Sequence, residues 1–272
     1  MSRRLTIAVL VASVALTACD EESAGPRETR ENAFQWSGAV AAGKTLSVRS
    51  LRGDITIEPS TDSMVQVSAD YAWRRGNPDT DLKISGANTA DGALVCAMLG
   101  ENTCTEKDFQ ANLKLGDGSP DIRVTMRIRV PNGVRVNVVG ADGDVTVSAS
   151  APVRAFTMNG DVTVATAVGP VTGESLNGDI DLRMTSVTGT DSIIGKTMNG
   201  DVFVYMTALA DATVDMSVTM GKVQSEFPLT VQGEQSARQL RSTVGTGSRV
   251  VLLKSLTGDV ALRKLDAAGR AP

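Results

Sequence analysis

One short motif recurs along this chain and restricts the fold more than any other feature. Six Gly-Asp pairs are each followed by apolar–x–apolar, beginning at Gly53, Gly143, Gly160, Gly178, Gly200 and Gly258. A seventh copy, Gly221-Lys222-Val223, is degenerate. From Gly143 onward the glycines step by 17, 18, 22 and 21 residues, then by 37. The last step is close to two periods and predicts a turn that has lost its motif. A period near 20 points to stacked units, because one unit has too little area to bury its apolar face alone. Asn159-Gly160, Asn177-Gly178 and Asn199-Gly200 are dipeptides that tolerate positive φ and mark tight turns. Each turn starts a strand whose alternate residues point to one side. A further mostly apolar column lies two residues before each glycine: Leu51, Ala141, Met158, Leu176, Met198 and Leu256, broken by Thr219.

Strand-like pieces also lie between the motifs, at 153–158, 170–176, 192–198, 213–220 and 249–256. Each coil therefore carries two strands, and the stack has two facing sheets. The expected fold is an all-β β-solenoid of two-strand coils, ~17–22 residues each, over residues 36–266. An irregular insertion is expected over 74–120. Residues 121–138 alternate cleanly around a turn at Pro131-Asn132-Gly133. The last residues, 267–272, read as a loose tail.

Composition narrows the chemistry. Aromatics are only 3% of the 272 residues, so the core must be aliphatic. There is no histidine, which removes Ser-His and Cys-His nucleophiles, imidazole acid–base catalysis and most transition-metal sites. The formal net charge of −4 disfavours a nucleic-acid partner, and no cofactor is implied.

The first residues give an address. Arg3 and Arg4 precede an apolar run from Leu5 to Leu16, and Leu16-Thr17-Ala18-Cys19 follows. A basic start, a short apolar core and small residues before a cut make a secretory signal over 1–18. The run is too short to span a bilayer. The last four residues resemble a bacterial lipobox, which implies cleavage before Cys19 and diacylglycerol on its sulfur. Acyl chains there would attach the protein to a membrane. Residues 19–35, which carry the charged run DEESAGPRETREN from Asp20 to Asn32, read as a flexible tether. The remaining cysteines, Cys96 and Cys104, are expected to form a disulfide in an oxidising envelope compartment.

Val130-Pro131, the NGDV-like repeats, and Val244-Gly245-Thr246-Gly247 before Leu256-Thr257-Gly258-Asp259-Val260 resemble the bacterial β-strand-repeat "putative adhesin" family, also called the toastrack domain. The resemblance covers roughly residues 36–264 apart from the region around Cys96. It implies a β-solenoid without established catalytic residues, in surface, lipoprotein or envelope-stress components. It carries over no site residue.

The residues themselves leave several readings. Stacked Asp144, Asp161, Asp179 and Asp201 could bind Ca²⁺ as a carboxylate ladder, giving a calcium-dependent repeat protein; alternatively each closes its own turn on nearby backbone N–H groups. Asp179 and Asp181 could serve a carbohydrate-active enzyme, which needs two carboxyl groups at a defined separation. Arg52-Gly53-Asp54 spells a receptor-binding tripeptide that falls in the register of the repeat. Gly195-Lys196-Thr197 lacks the earlier glycine and the following helix of a phosphate loop. Trp36, Tyr71 and Trp73 either form a binding patch or cap the end of the stack. The reading favoured is a non-catalytic, membrane-anchored extracytoplasmic module for adhesion or envelope sensing, with a protein or glycan partner.

Overall fold

The computed structural model describes residues 26–107, 119–166, 168–186, 190–209, 211–229 and 236–265. The signal segment, Cys19, the first part of the tether and the 267–272 tail lie outside them.

The described residues are partly in turns and connections and mostly in strands. In chain order these are β1 (Glu28–Ala39), β2 (Thr45–Arg52), β3 (Ile55–Ser60), β4 (Met64–Arg75), β5 (Leu82–Thr89), β6 (Gly92–Leu99), β7 (Asp121–Pro131), β8 (Arg135–Asp142), β9 (Val145–Ala149) and β10 (Val153–Asn159). There follow β11 (Val162–Thr166), β12 (Val171–Asn177), β13 (Ile180–Met184), β14 (Ile193–Asn199), β15 (Val202–Met206), β16 (Ala212–Met220), β17 (Val223–Ser225), β18 (Gln239–Val244), β19 (Arg249–Thr257) and β20 (Val260–Lys264). One helical turn, α1 (Pro78–Asp81), is capped by the Asn77 side chain.

Two ten-stranded sheets face each other. Sheet A has the order β1-β4-β7-β3-β9-β11-β13-β15-β20-β17, and sheet B the order β18-β16-β19-β14-β12-β10-β8-β2-β6-β5. The chain rises along a sheet B strand, turns at a motif glycine and continues along a sheet A strand. The motif glycines thus become the corners of stacked coils, as the repeat predicts. Like positions pair in parallel register: Val162 with Val145 and Ile180, Val164 with Val147 and Leu182. Their inward side chains are fully buried and form one aliphatic column. Each such burial is worth roughly 1.5–3 kcal/mol, and no single coil could gain it alone.

The corner explains the glycine. At Gly178 φ is +150°, and a Cβ there would stand 2.0 Å from the Gly160 carbonyl oxygen of the preceding coil. The corners approach too closely for any side chain.

Stacking order departs from chain order at one end. The coil of β19 and β20 slots between that of β14 and β15 and that of β16 and β17. The 37-residue step is explained by the antiparallel β18, which pairs with β16 before the chain returns.

Two sequence expectations are corrected. Residues 28–35 are not tether: β1 starts at Glu28 and pairs antiparallel with β4. Charged side chains suit an edge strand, where main-chain bonds hold the strand and side chains stay in water; the Asn32 N–H also donates to Asp70. The 74–120 segment is not wholly outside the repeat. β6 pairs in parallel with β2, and β5 folds back on it as a hairpin, so together they extend sheet B. With β7, which pairs in parallel with β3, β6 makes a layer lacking a Gly-Asp corner. The mostly apolar column two residues before each glycine is not uniformly buried. Leu51 and Ala141 are buried, but Met198 and Leu256 are 48% and 44% exposed.

The Cys96–Cys104 disulfide forms, closing a loop across the outer face of sheet B. Beneath it the fully buried Arg49 donates to the Val48, Asn137 and Glu106 carbonyls, fastening the loop to β2 and β8.

Two stability measurements follow. Gly178→Ala should lose at least ~2 kcal/mol through strain and clash, whereas Gly43→Ala should lose about 1 kcal/mol. Gly43 also has positive φ, but nothing lies within 4 Å of its Cβ position. Equal urea midpoints for the two variants would refute the close-approach account. Replacing Cys96 and Cys104 by serine should cost about 2–3 kcal/mol for a loop of this length.

Candidate functional site

The sharpest sequence candidate is the aspartate column, and the structure does bring it into one line. The geometry of that line identifies its work. The backbone N–H of Asp161 donates to Asp144 Oδ1 at 2.9 Å, Asp179 to Asp161 at 2.8 Å and Asp201 to Asp179 at 2.7 Å. The series extends from Asp54, which accepts from Asp144 N–H at 3.0 Å, to Asp259, which donates to Asp201 at 2.7 Å. The last donor is Lys222 N–H, to Asp259 Oδ1 at 2.8 Å. Each aspartate therefore fastens the next coil rather than closing its own turn, which corrects the turn-closing reading.

This chain of bonds also accounts for the lysine. Within the corner series Lys222 occupies the end position, beyond which no corner N–H is offered to a carboxylate among the described residues. An aspartate would only add another negative charge to the row.

Two further ladders run beside it. Asn177 Nδ2 donates to Asn159 Oδ1, and Asn199 Nδ2 to Asn177 Oδ1, both at 2.8 Å. The hydroxyls of Thr157, Ser175, Thr197 and Ser255 donate to the corner carbonyls of Gly143, Gly160, Gly178 and Gly200 at 2.8–3.0 Å. Each corner aspartate thus spends one carboxylate oxygen on stacking, and the asparagines and hydroxyls add their own bonds between coils. Among the described residues no group of three or more His, Cys, Asp or Glu is placed to hold a metal ion.

The other candidates separate. Asp179 belongs to the ladder, while Asp181 pairs with Arg183 Nε at 2.8 Å on the outer face of sheet A. That hydrogen bond is the main cause raising the Arg183 pKa above its usual value. Arg52 turns into ion pairs with Asp142 at 3.3 Å and Asp121 at 3.8 Å and is only 16% exposed, so the Arg-Gly-Asp triplet is not displayed as a unit. Gly195-Lys196-Thr197 lies inside β14, with Thr197 bonded to the Gly178 carbonyl, not in a loop. Trp36 packs its ring against Gly38 and Gly86 between β1 and β5, and Tyr71 and Trp73 meet at 5.6 Å. All three pack on the core at the end of the stack, which is the capping alternative.

Sequence reasoning missed a groove of about 660 Å³ across the outer face of sheet A, between β1, β4, β7 and β3. Trp36, Thr56, Glu58, Gln66, Arg127 and Arg129 are among the residues that line it, so one aromatic of the binding-patch candidate also borders the groove. Asp70, beside it, accepts from Asn32 N–H and from Arg127; those bonds hold its carboxyl below its usual pKa. Glu58 and Arg129 have no side-chain partner among the described residues. The outward alternation of 121–131 was the available signal, but pairing with β1 and β4 was not visible in it.

The family profile described as Toastrack DUF4097 matches residues 40–263. The chain belongs to this family. Comparison with curated proteins finds no match. Among solved structures, it is similar to a "putative cell adhesion protein" of Clostridium sporogenes at 13% identity, covering 85% of this chain and 99% of that one, with a TM-score of 0.44. A "putative adhesin" of Bacteroides fragilis is similar at 12% identity, with 85% and 96% coverage and a TM-score of 0.40. A "putative lipid binding protein" of Parabacteroides distasonis is similar at 13% identity, with 87% and 98% coverage and a TM-score of 0.31.

Asp179→Ala removes the acceptor for Asp201 N–H and should cost about 1–2 kcal/mol. Lys222→Asp should change stability by less than ~0.5 kcal/mol. Melting midpoints should be the same with calcium and with a chelator; a chelator-sensitive midpoint would return the ladder to metal binding.

Proposed function

We propose that this toastrack protein is a non-catalytic binding module, lipid-anchored through Cys19 on the extracytoplasmic side of a membrane. The observation that carries the binding reading is the division of labour among its polar groups. At the corners, one oxygen of each aspartate, the asparagine amides and the hydroxyls hold coils together. The outer face of sheet A instead presents Thr56, Glu58 and Arg129 with uncommitted side chains across neighbouring strands about 4.8 Å apart. A hydroxyl, a carboxylate and a guanidinium set side by side on a rigid surface suit an extended protein or glycan partner in the cell envelope. The Leu16-Thr17-Ala18-Cys19 signal supplies the address, and the disulfide is consistent with an oxidising compartment. A module held beside the envelope in this way could adhere or report the state of its partner.

Two readouts test this. Mass spectrometry of the mature chain should find an N-terminal Cys19 carrying diacylglycerol, and Cys19→Ser should move the protein from the membrane fraction to the soluble one. Purified cell-wall polysaccharide and envelope proteins, titrated against the full chain, should bind at least tenfold more weakly to Arg129→Ala/Glu58→Gln. An unacylated Cys19 overturns the anchor. Binding unaffected by the double substitution overturns the groove.

A further inference from the structure

Sheets with one face in water alternate apolar inward and polar outward. The middle of sheet A obeys this, with Thr56, Thr146, Thr163 and Asp181 in one outward row. Sheet B does not. Across β10, β12, β14 and β19, the outward row beside the corner reads Met158, Leu176, Met198, Leu256. Ile194 and Leu252 stand in another outward row, and Val250 is 47% exposed. Phe156, Leu176, Met198 and Leu256 line a shallow depression on this face. A seven-residue length of these four strands projects on the order of 400 Å², more once side-chain relief is counted. That is about half of the ~800 Å² per partner of a standard protein interface and suits a weak, concentration-dependent association.

We infer that this face of sheet B is a homodimer interface, sheet against sheet. The charges beside the apolar row choose the partner. The middle row reads Phe156, Glu174, Lys196, Lys254, with its anion toward one end and its cations toward the other. Glu174 pairs within the chain with Lys196 at 3.5 Å and Arg154 at 3.8 Å, and Lys254 has no ion-pair partner among the described residues. A two-fold axis along the strands lays apolar row on apolar row and reverses the order of coils. Glu174 then faces Lys196 and Lys254 of the partner subunit. An anionic lipid surface fits less well, because the aspartate row at Asp144, Asp161, Asp179 and Asp201 runs along the adjacent corner and would be repelled. The dimer does not depend on acylation at Cys19, and the two are read by different measurements.

Sedimentation velocity on the full chain carrying Cys19→Ser, from ~1 to ~100 μM (the range of weak to moderate protein affinities), tests the interface. The chain should sediment as a dimer at the upper end. Met198→Glu/Leu256→Glu should raise the dissociation constant at least a hundredfold, with unchanged circular dichroism and melting midpoint, since both residues already face water. Glu174→Lys should weaken the dimer at least tenfold, and Thr163→Lys on sheet A should leave it unchanged. A monomer throughout the range, or a dimer indifferent to Met198→Glu/Leu256→Glu, overturns the proposal. A monomer that co-sediments with phosphatidylglycerol vesicles, and stops doing so in that double variant, reassigns the face to a membrane.

Discussion

The structure depends on the close approach of successive glycine corners. With no Cβ, the corner at Gly178 lies against the Gly160 carbonyl, and the main chain can pass from one sheet to the other in a single step. That approach brings each aspartate carboxylate within reach of the N–H at the next corner. One geometric constraint therefore sets the parallel register of both sheets, and the buried Val, Ile and Leu columns follow from it. Hydrophobic burial provides most of the driving force, but it is nondirectional. The corner bonds supply the direction, because a slip of one residue would separate donor from acceptor and turn the apolar set outward.

The same bonds favour one stacking order. Asp259 accepts from Lys222, so the later coil can be internal and the earlier one terminal. In the reverse arrangement, Lys222 would offer no carboxylate to the Asp259 N–H. A single residue type at one corner thus agrees with a topology in which chain order and spatial order differ. At the other end, α1, the aromatic residues and the disulfide loop finish the stack where no Gly-Asp corner is available. Both ends also carry antiparallel pairings, β1 with β4 and β16 with β18.

The two outward faces have different chemistry on the same scaffold. Sheet A offers threonine, arginine and carboxylate side chains, some of them without partners. Sheet B offers methionine and leucine in register. Because the corners and the interior already hold the coils together, outward positions are free to vary without cost to the stack. Recognition on one face and self-association on the other are compatible, since the sheets are back to back across the core. Two chains joined through sheet B would present their sheet A grooves outward in opposite directions.

Much of this was legible in the residues. The Gly-Asp recurrence, with alternation after each copy, was enough to determine a two-sheet stack, because positive-φ corners and inward apolar positions are local requirements. The Cys96–Cys104 pairing was also readable, from two cysteines close in sequence. What the sequence could not decide was anything that depends on which strands become neighbours. The polar stretch 28–35 became an edge strand because β4 offered it backbone partners, and 92–99 joined sheet B beside β2. Met198 and Leu51 occupy equivalent motif positions, yet one faces water and the other is buried, since only the latter lies at the covered end of sheet B. Local chemistry determined the corner and the coil; the long-range pairing of strands decided the order of coils, the groove and the exposed apolar face, because those properties belong to contacts between residues far apart in the chain.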